Sequence, residues 1–238
     1  DHPDMWLICT QQFFRAAAAV IFATWFPTYL QESRGVSTSA AGLLTTIPLL
    51  SFVVGGVAGG LIVDWLYHKT RSRRVSRQGT AVVAMLACSL FLLIAYFVEA
   101  TLPAVLLIAV GSLFAAFSGS CGYTITIDKA GDYVGPVFGA MNMSGNLGAA
   151  ICPAVIAYVA ANTAGSRQGD VNWDSVLLVF LCLTLAAAIA WMLVNPDGTF
   201  FDDPDAGFDN PDAGFDDPDA GGPDAGSREH LTDRRPPA

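Results

Sequence analysis

The sequence predicts an all-α integral membrane protein of six transmembrane helices followed by a disordered acidic tail. Three observations carry this. Hydrophobic residues make up 53% of the 238 residues and charged residues only 14%, where a soluble domain carries about 25% charged. The apolar residues gather in six stretches, at roughly 5–31, 40–65, 79–98, 101–125, 133–161 and 175–194, each long enough to cross a hydrocarbon core of about 30 Å. Residues 1–194 balance at 9 acids against 9 bases, whereas residues 195–238 hold 12 acids against 3. The acidity therefore belongs to an appendage. This pattern excludes a nucleic-acid-binding domain, a secreted disulfide scaffold and most soluble enzymes.

In the first span, Arg15 lies about 15 Å from Met5 at 1.5 Å per residue, near the middle of a bilayer core. Gln11 and Gln12 precede it by one turn, and no Asp or Glu lies at matching depth in any span. An intramembrane arginine is by default a functional group, here one that faces a water-filled path and attracts an anion with its fork of donors. The residues leave a second reading open, in which Arg15 binds helix carbonyls or a further segment, or snorkels toward the interface. Pro27 near the end of this span, Pro48 in the second and Pro153 in the fifth are expected to bend their helices.

The second span carries Gly55 and Gly59, and Gly56 and Gly60, at steps of four, which place small residues on helix faces for close approach. It ends in Asp64 and the loop 68–77, which holds Lys69, Arg71, Arg73, Arg74 and Arg77, five of the nine cations of the membrane body. A short loop so rich in Lys and Arg is cytoplasmic. That choice leaves Arg34 and Arg167 in exterior loops and places both ends of the chain, with the tail, in the cytoplasm. Trp6, Trp25, Tyr29, Trp65, Tyr67 and Trp173 fall near span ends, where aromatic rings prefer the interface.

On the fourth span Gly111, Ala115, Ser118 and Gly122 make a stripe of small residues, with Ser118 able to offer a hydroxyl. On the fifth, Gly135, Gly139, Asn142, Asn146 and Pro153 share one face, preceded by Gly131. The amides suit the hydroxyl and carboxylate groups of a polar solute, or hydrogen bonds between helices. Cys9, Cys88, Cys121, Cys152 and Cys182 each sit in a different span and read as small buried residues rather than disulfide partners. His2, His68 and His230 lie outside the spans and no metal-ligand pair is spaced along a helix, so neither an enzyme nor a cofactor or metal site is expected.

The tail repeats Phe201-Asp202-Asp203-Pro204-Asp205-Ala206-Gly207 at Phe208 and Phe215, then in truncated form from Gly222. Pro and Gly in every repeat and the density of like charge predict disorder, and the ligand spacing of a calcium loop is absent.

Several of these segments together resemble a family. They are Phe13-Phe14-Arg15, Ala23-Thr24-Trp25-Phe26-Pro27-Thr28-Tyr29-Leu30, Ala41-Gly42-Leu43-Leu44, Gly59-Gly60-Leu61-Ile62-Val63-Asp64 and Gly139-Ala140-Met141-Asn142-Met143-Ser144-Gly145-Asn146-Leu147-Gly148. Over roughly residues 5–194 they are similar to the anion:cation symporters of the major facilitator superfamily, and to the carboxy-terminal half of that twelve-helix fold. The resemblance implies alternating-access transport of organic acid anions such as sugar acids, in a cell (inner) membrane, coupled to a proton or sodium ion. It implies a substrate site to which Arg15, Gln11, Ser118, Asn142 and Asn146 contribute. It also implies a conformational latch at Gly60, Asp64, Arg73 and Arg74, with Trp65 standing where that motif has a basic residue. A missing N-terminal six-helix half would be the partner in the bilayer. The alternatives are a six-span homo-oligomeric channel or half-transporter, and a nonfunctional truncated carrier fragment.

Overall fold

A computed structural model describes residues 3–162 and 172–201, and these are helical almost throughout. Of the expected disordered tail, residues 202–238, and with them the calcium question, fall outside the described ones, as does the loop containing Arg167. The helices are α1 (Pro3–Thr24), α2 (Phe26–Glu32), α3 (Thr38–Thr70), α4 (Thr80–Phe97), α5 (Thr101–Ala130), α6 (Val134–Asn162) and α7 (Trp173–Leu193), with a π-helical turn at Arg74–Gly79 leading into α4.

Local chemistry sets the boundaries. Pro27, at the start of α2, has no N–H to continue the ladder from α1, and the two helices meet at 43°. Pro48 and Pro153 interrupt neither α3 nor α6, which run through them. Ser37 Oγ accepts from Ala40 N at the start of α3, and Asn172 Oδ1 accepts from Ser175 N at the start of α7. α5 ends at Gly131, whose φ of 52° is a left-handed value that a glycine adopts at no steric cost.

Four helical runs are long and apolar enough to cross a membrane, among them the 59-residue run Thr101–Val159, and the bent pair of α1 with α2 makes a fifth. The long run is far longer than the roughly 20 residues a crossing needs and turns back at Gly131–Tyr133. Gln11 lies at Gly122 and Arg15 at Gly119, so α5 runs antiparallel to α1. Ser144 bonds Cys9 and Gly148 abuts Phe13, so α6 runs parallel to α1. α5 and α6 are thus separate crossings, giving six among the described residues.

Close approach occurs at some glycines and not others. A Cβ on Gly55 would strike Leu113, one on Gly59 would lie 2.8 Å from Phe117 Cα, and one on Gly148 would strike Phe13 O. These seat α3 on α5 and α6 on α1. Gly56, Gly60, Gly131, Gly135 and Gly139 meet nothing within 4 Å, so these members of the sequence stripes face outward from the bundle.

The interior is layered along the membrane normal. One apolar core gathers Ile21, Tyr29, Leu92, Ile108, Ile156 and Trp173, and the other gathers Ile8, Met85, Ile125, Met141 and Trp191. Between them on five helices lies a polar level: Gln11, Gln12 and Arg15 on α1, Ser89 on α4, Ser112 and Ser118 on α5, Asn142 and Asn146 on α6, Thr184 on α7. Ser89 Oγ and Thr184 Oγ1 pair at 2.8 Å within it. The five cysteines are free thiols, and only Cys182 is exposed.

The bundle continues past residue 194, where hydropathy marks its end. Val194 and Phe200 are buried, because the segment after α7 folds over the α5–α6 turn. Phe200 N donates to Lys129 O at 2.8 Å, and Phe201 packs on Tyr133 with ring centroids 4.4 Å apart.

Candidate functional site

Arg15 is 7% exposed and sits at the polar level. Its Nε and Nη2 donate to Gln12 Oε1 at 3.2 and 2.7 Å, and its guanidinium lies 5.9 Å from the Tyr123 ring centroid. Among the described residues it has no carboxylate partner. The acceptor bound at 2.7 Å is a neutral amide, which orients the fork without cancelling its charge.

Room for this group is made by backbone. A Cβ on Gly119 would lie 3.0 Å from Arg15 Nη1, and a Cβ on Gly145 would lie 3.0 Å from the Gln12 side chain. Glycine at both positions lets the two polar side chains lie flat between α1, α5 and α6. Beside them opens a cavity of about 390 Å³ bordered by Gln12, Arg15, Tyr123, Asn142, Gly145 and Asn146. That volume is in the range of small-molecule sites, roughly 300–1,000 Å³.

The structure thus brings together Arg15, Asn142 and Asn146. Gln11 and Ser118 lie at the same level but away from the cavity. Gln11 is fully buried against Gly122 and Trp191, and among the described residues neither its amide nor the Ser118 hydroxyl has a hydrogen-bond partner. Gln12 takes the place beside Arg15: both glutamines are within about one turn of it, and the rotation of α1 turns Gln12 to the cavity and Gln11 toward Gly122. Tyr123, Gly119 and Gly145 belong to the site without having been singled out as site residues from sequence. Gly119 and Gly122 one turn apart, opposite two polar residues of α1, were the available signal.

The other charged cluster lies at the end of the bundle that carries both ends of the described chain. Asp64 pairs with Arg77 Nη1 at 3.5 Å, and Arg77 Nε donates to Asp128 Oδ2 at 3.0 Å while its guanidinium covers Tyr67. The π-helical turn points Arg77 inward, where it is 6% exposed. Arg73 and Arg74, named with Asp64 in the implied latch motif, make no ion pair among the described residues, and Gly60 faces open space. Lys129 is 2% exposed. Its three N–H bonds are spent on Asp4 Oδ2 at 3.1 Å, Asn195 O at 3.0 Å and Asp197 O at 2.8 Å.

Six crossings around a polar mid-level make this a multi-pass helical membrane protein. The chain belongs to the Major Facilitator Superfamily, whose sequence pattern it matches over residues 8–214. Among curated proteins it is similar to the probable sulfoacetate transporter SauU of Cupriavidus necator, 27% identical over 201 residues, which is 84% of this chain and 45% of that one. It is 31% identical over 184 residues to the probable galactarate/D-glucarate transporter GudP of Escherichia coli, covering 76% of this chain and 40% of the relative. It is 30% identical over 186 residues to the hexuronate transporter of Bacillus subtilis, covering 77% and 44%. The chain spans less than half the length of these relatives.

Proposed function

We propose that this six-helix unit forms one wall of a path for organic acid anions, sugar acids or related carboxylates, and that Arg15 is the group that reads their charge. The observation that carries this reading is the buried guanidinium, held by a neutral amide and opening on a cavity rimmed by Asn142 and Asn146. A carboxylate entering the cavity gains a charge-assisted bond to a donor that has already lost its water, and the two amides offer donors and acceptors for hydroxyls. Similarity to the probable sulfoacetate and galactarate/D-glucarate transporters and to the hexuronate transporter supports this substrate class.

Transport in this reading is alternating access, with a second six-helix half closing the open side of the cavity. No Asp or Glu stands at the polar level of α1 to α7, so the group that titrates with a coupling proton, or the acid that holds a sodium ion, belongs to that second half. The cation-rich turn 68–77 supports an orientation in which the end carrying Asp4 and Asn195 faces the cytoplasm, in a cell (inner) membrane.

The test is uptake of labelled galactarate, glucuronate and sulfoacetate into proteoliposomes by this chain alone and co-reconstituted with a complementary six-helix half, with Arg15 intact and as Arg15→Gln. Uptake in the paired sample only, lost on substitution, is the expected result. Flux from the lone chain that ignores Arg15 would overturn the assignment and favour a homo-oligomeric channel.

A further inference from the structure

A second built site lies on the outer surface, away from the anion cavity. α3 and α4 both pack on α5 and leave a groove of about 720 Å³ between them, floored by Phe114 and Phe117 and walled by Ile62, Leu66 and Val83. Val83 is 65% exposed. At its mouth the groove meets Arg74, which also borders a polar recess of about 490 Å³ formed with Arg71, Arg73, Tyr67, Ser72 and Asp197. Three guanidinium groups against one carboxylate leave the recess net cationic.

The local backbone builds this pairing. Arg71 closes α3 in a left-handed conformation, φ 51°, and the π-helical turn that follows sends Arg77 inward to its carboxylates while leaving Arg74 exposed at the rim. From Arg74 to Val83 the groove descends nine residues, roughly 13 Å, close to the half-thickness of a bilayer core. A soluble anion would use the recess and leave the groove empty. A neutral lipid would use the groove and leave three cations unanswered.

We propose that the α3–α4 groove and its arginine rim bind an anionic phospholipid, the phosphate among Arg71, Arg73 and Arg74 and an acyl chain along Phe117 and Val83. Each cation near a bilayer surface strengthens attraction to anionic lipid about fivefold, so three of them produce a preference that a titration can read. The site is independent of whichever solute the carrier path accepts.

The experiment is native mass spectrometry of the full chain in detergent, titrated with dioleoylphosphatidylglycerol or dioleoylphosphatidylcholine. The expected result is at least tenfold tighter retention of one phosphatidylglycerol. Replacing Arg71, Arg73 and Arg74 together by Gln should remove that preference, and Val83→Trp, which fills the groove, should weaken phosphatidylglycerol several-fold. Arg77 keeps its ion pairs in both variants. If the triple variant fails to elute as a folded species, Arg74→Gln alone, at the junction of recess and groove, should still cost at least threefold. Equal retention of the two lipids, or a preference untouched by the arginine substitutions, would overturn the proposal. So would displacement of the lipid by glycerol 1-phosphate at equal concentration, which would make the recess a site for soluble phosphate.

Discussion

Three cations are buried in this bundle to nearly the same extent, and they differ in what surrounds them. At the end carrying both chain ends, Lys129 spends every donor on a carboxylate and two carbonyls, and Arg77 bridges Asp64 and Asp128. At the polar mid-level, Arg15 has one amide and an open cavity. Neutralised charge holds the fold together; charge left without a counter-ion is available to bind one. On the proposed function, the same residue type at the same burial serves structure in one layer and recognition in the other.

The comparison can be broken most forcefully at Lys129. Lys129→Met strands the Asp4 carboxylate and two carbonyls, and thermal unfolding in detergent should show a loss of about 3–5 kcal/mol. Arg77→Gln should cost less, because Asp64 is two-thirds exposed and can rehydrate. Next in size, Arg15→Gln should lower carboxylate affinity about 10- to 150-fold, the worth of a charge-assisted bond of about 1.5–3 kcal/mol, while the melting temperature holds or rises. A stability loss as large as that of Lys129→Met would erase the distinction between the layers.

Glycine substitutions sharpen it further. Gly148→Ala drives a methyl into Phe13 O and should cost about 1–3 kcal/mol of stability. Gly139→Ala, which meets open space, should change stability by less than about 0.5 kcal/mol. The smallest expected effect is at the amides: Asn142→Ala or Asn146→Ala should each reduce affinity about fivefold, near 1 kcal/mol, in the same binding assay.

The helices were legible because apolar length is a strong signal, and Arg15 because an intramembrane cation without a matching acid is conspicuous in any reading. Asn142 and Asn146 were legible from their spacing on α6. Which face of α1 meets them was not, since Gln11 and Gln12 are adjacent and only helix rotation decides between them. The pairing of Asp64 with Arg77 was not legible, because a π-helical turn shifts the register by which an α-helical count assigns directions. The role of Lys129 was not legible, because its partners include backbone carbonyls 66 and 68 residues away, and carbonyls leave no mark in a sequence.

Lys129 also has a consequence for biogenesis. Chains are made from the amino terminus onward, so α5 is in place before residues 195–200 exist, and until then the ammonium has only Asp4 to answer it. The clamp closes when the last helix has been inserted and its following residues fold back. A nascent chain stalled before Asn195 would leave this lysine with one of its three partners, so the clamp depends on the segment that follows α7.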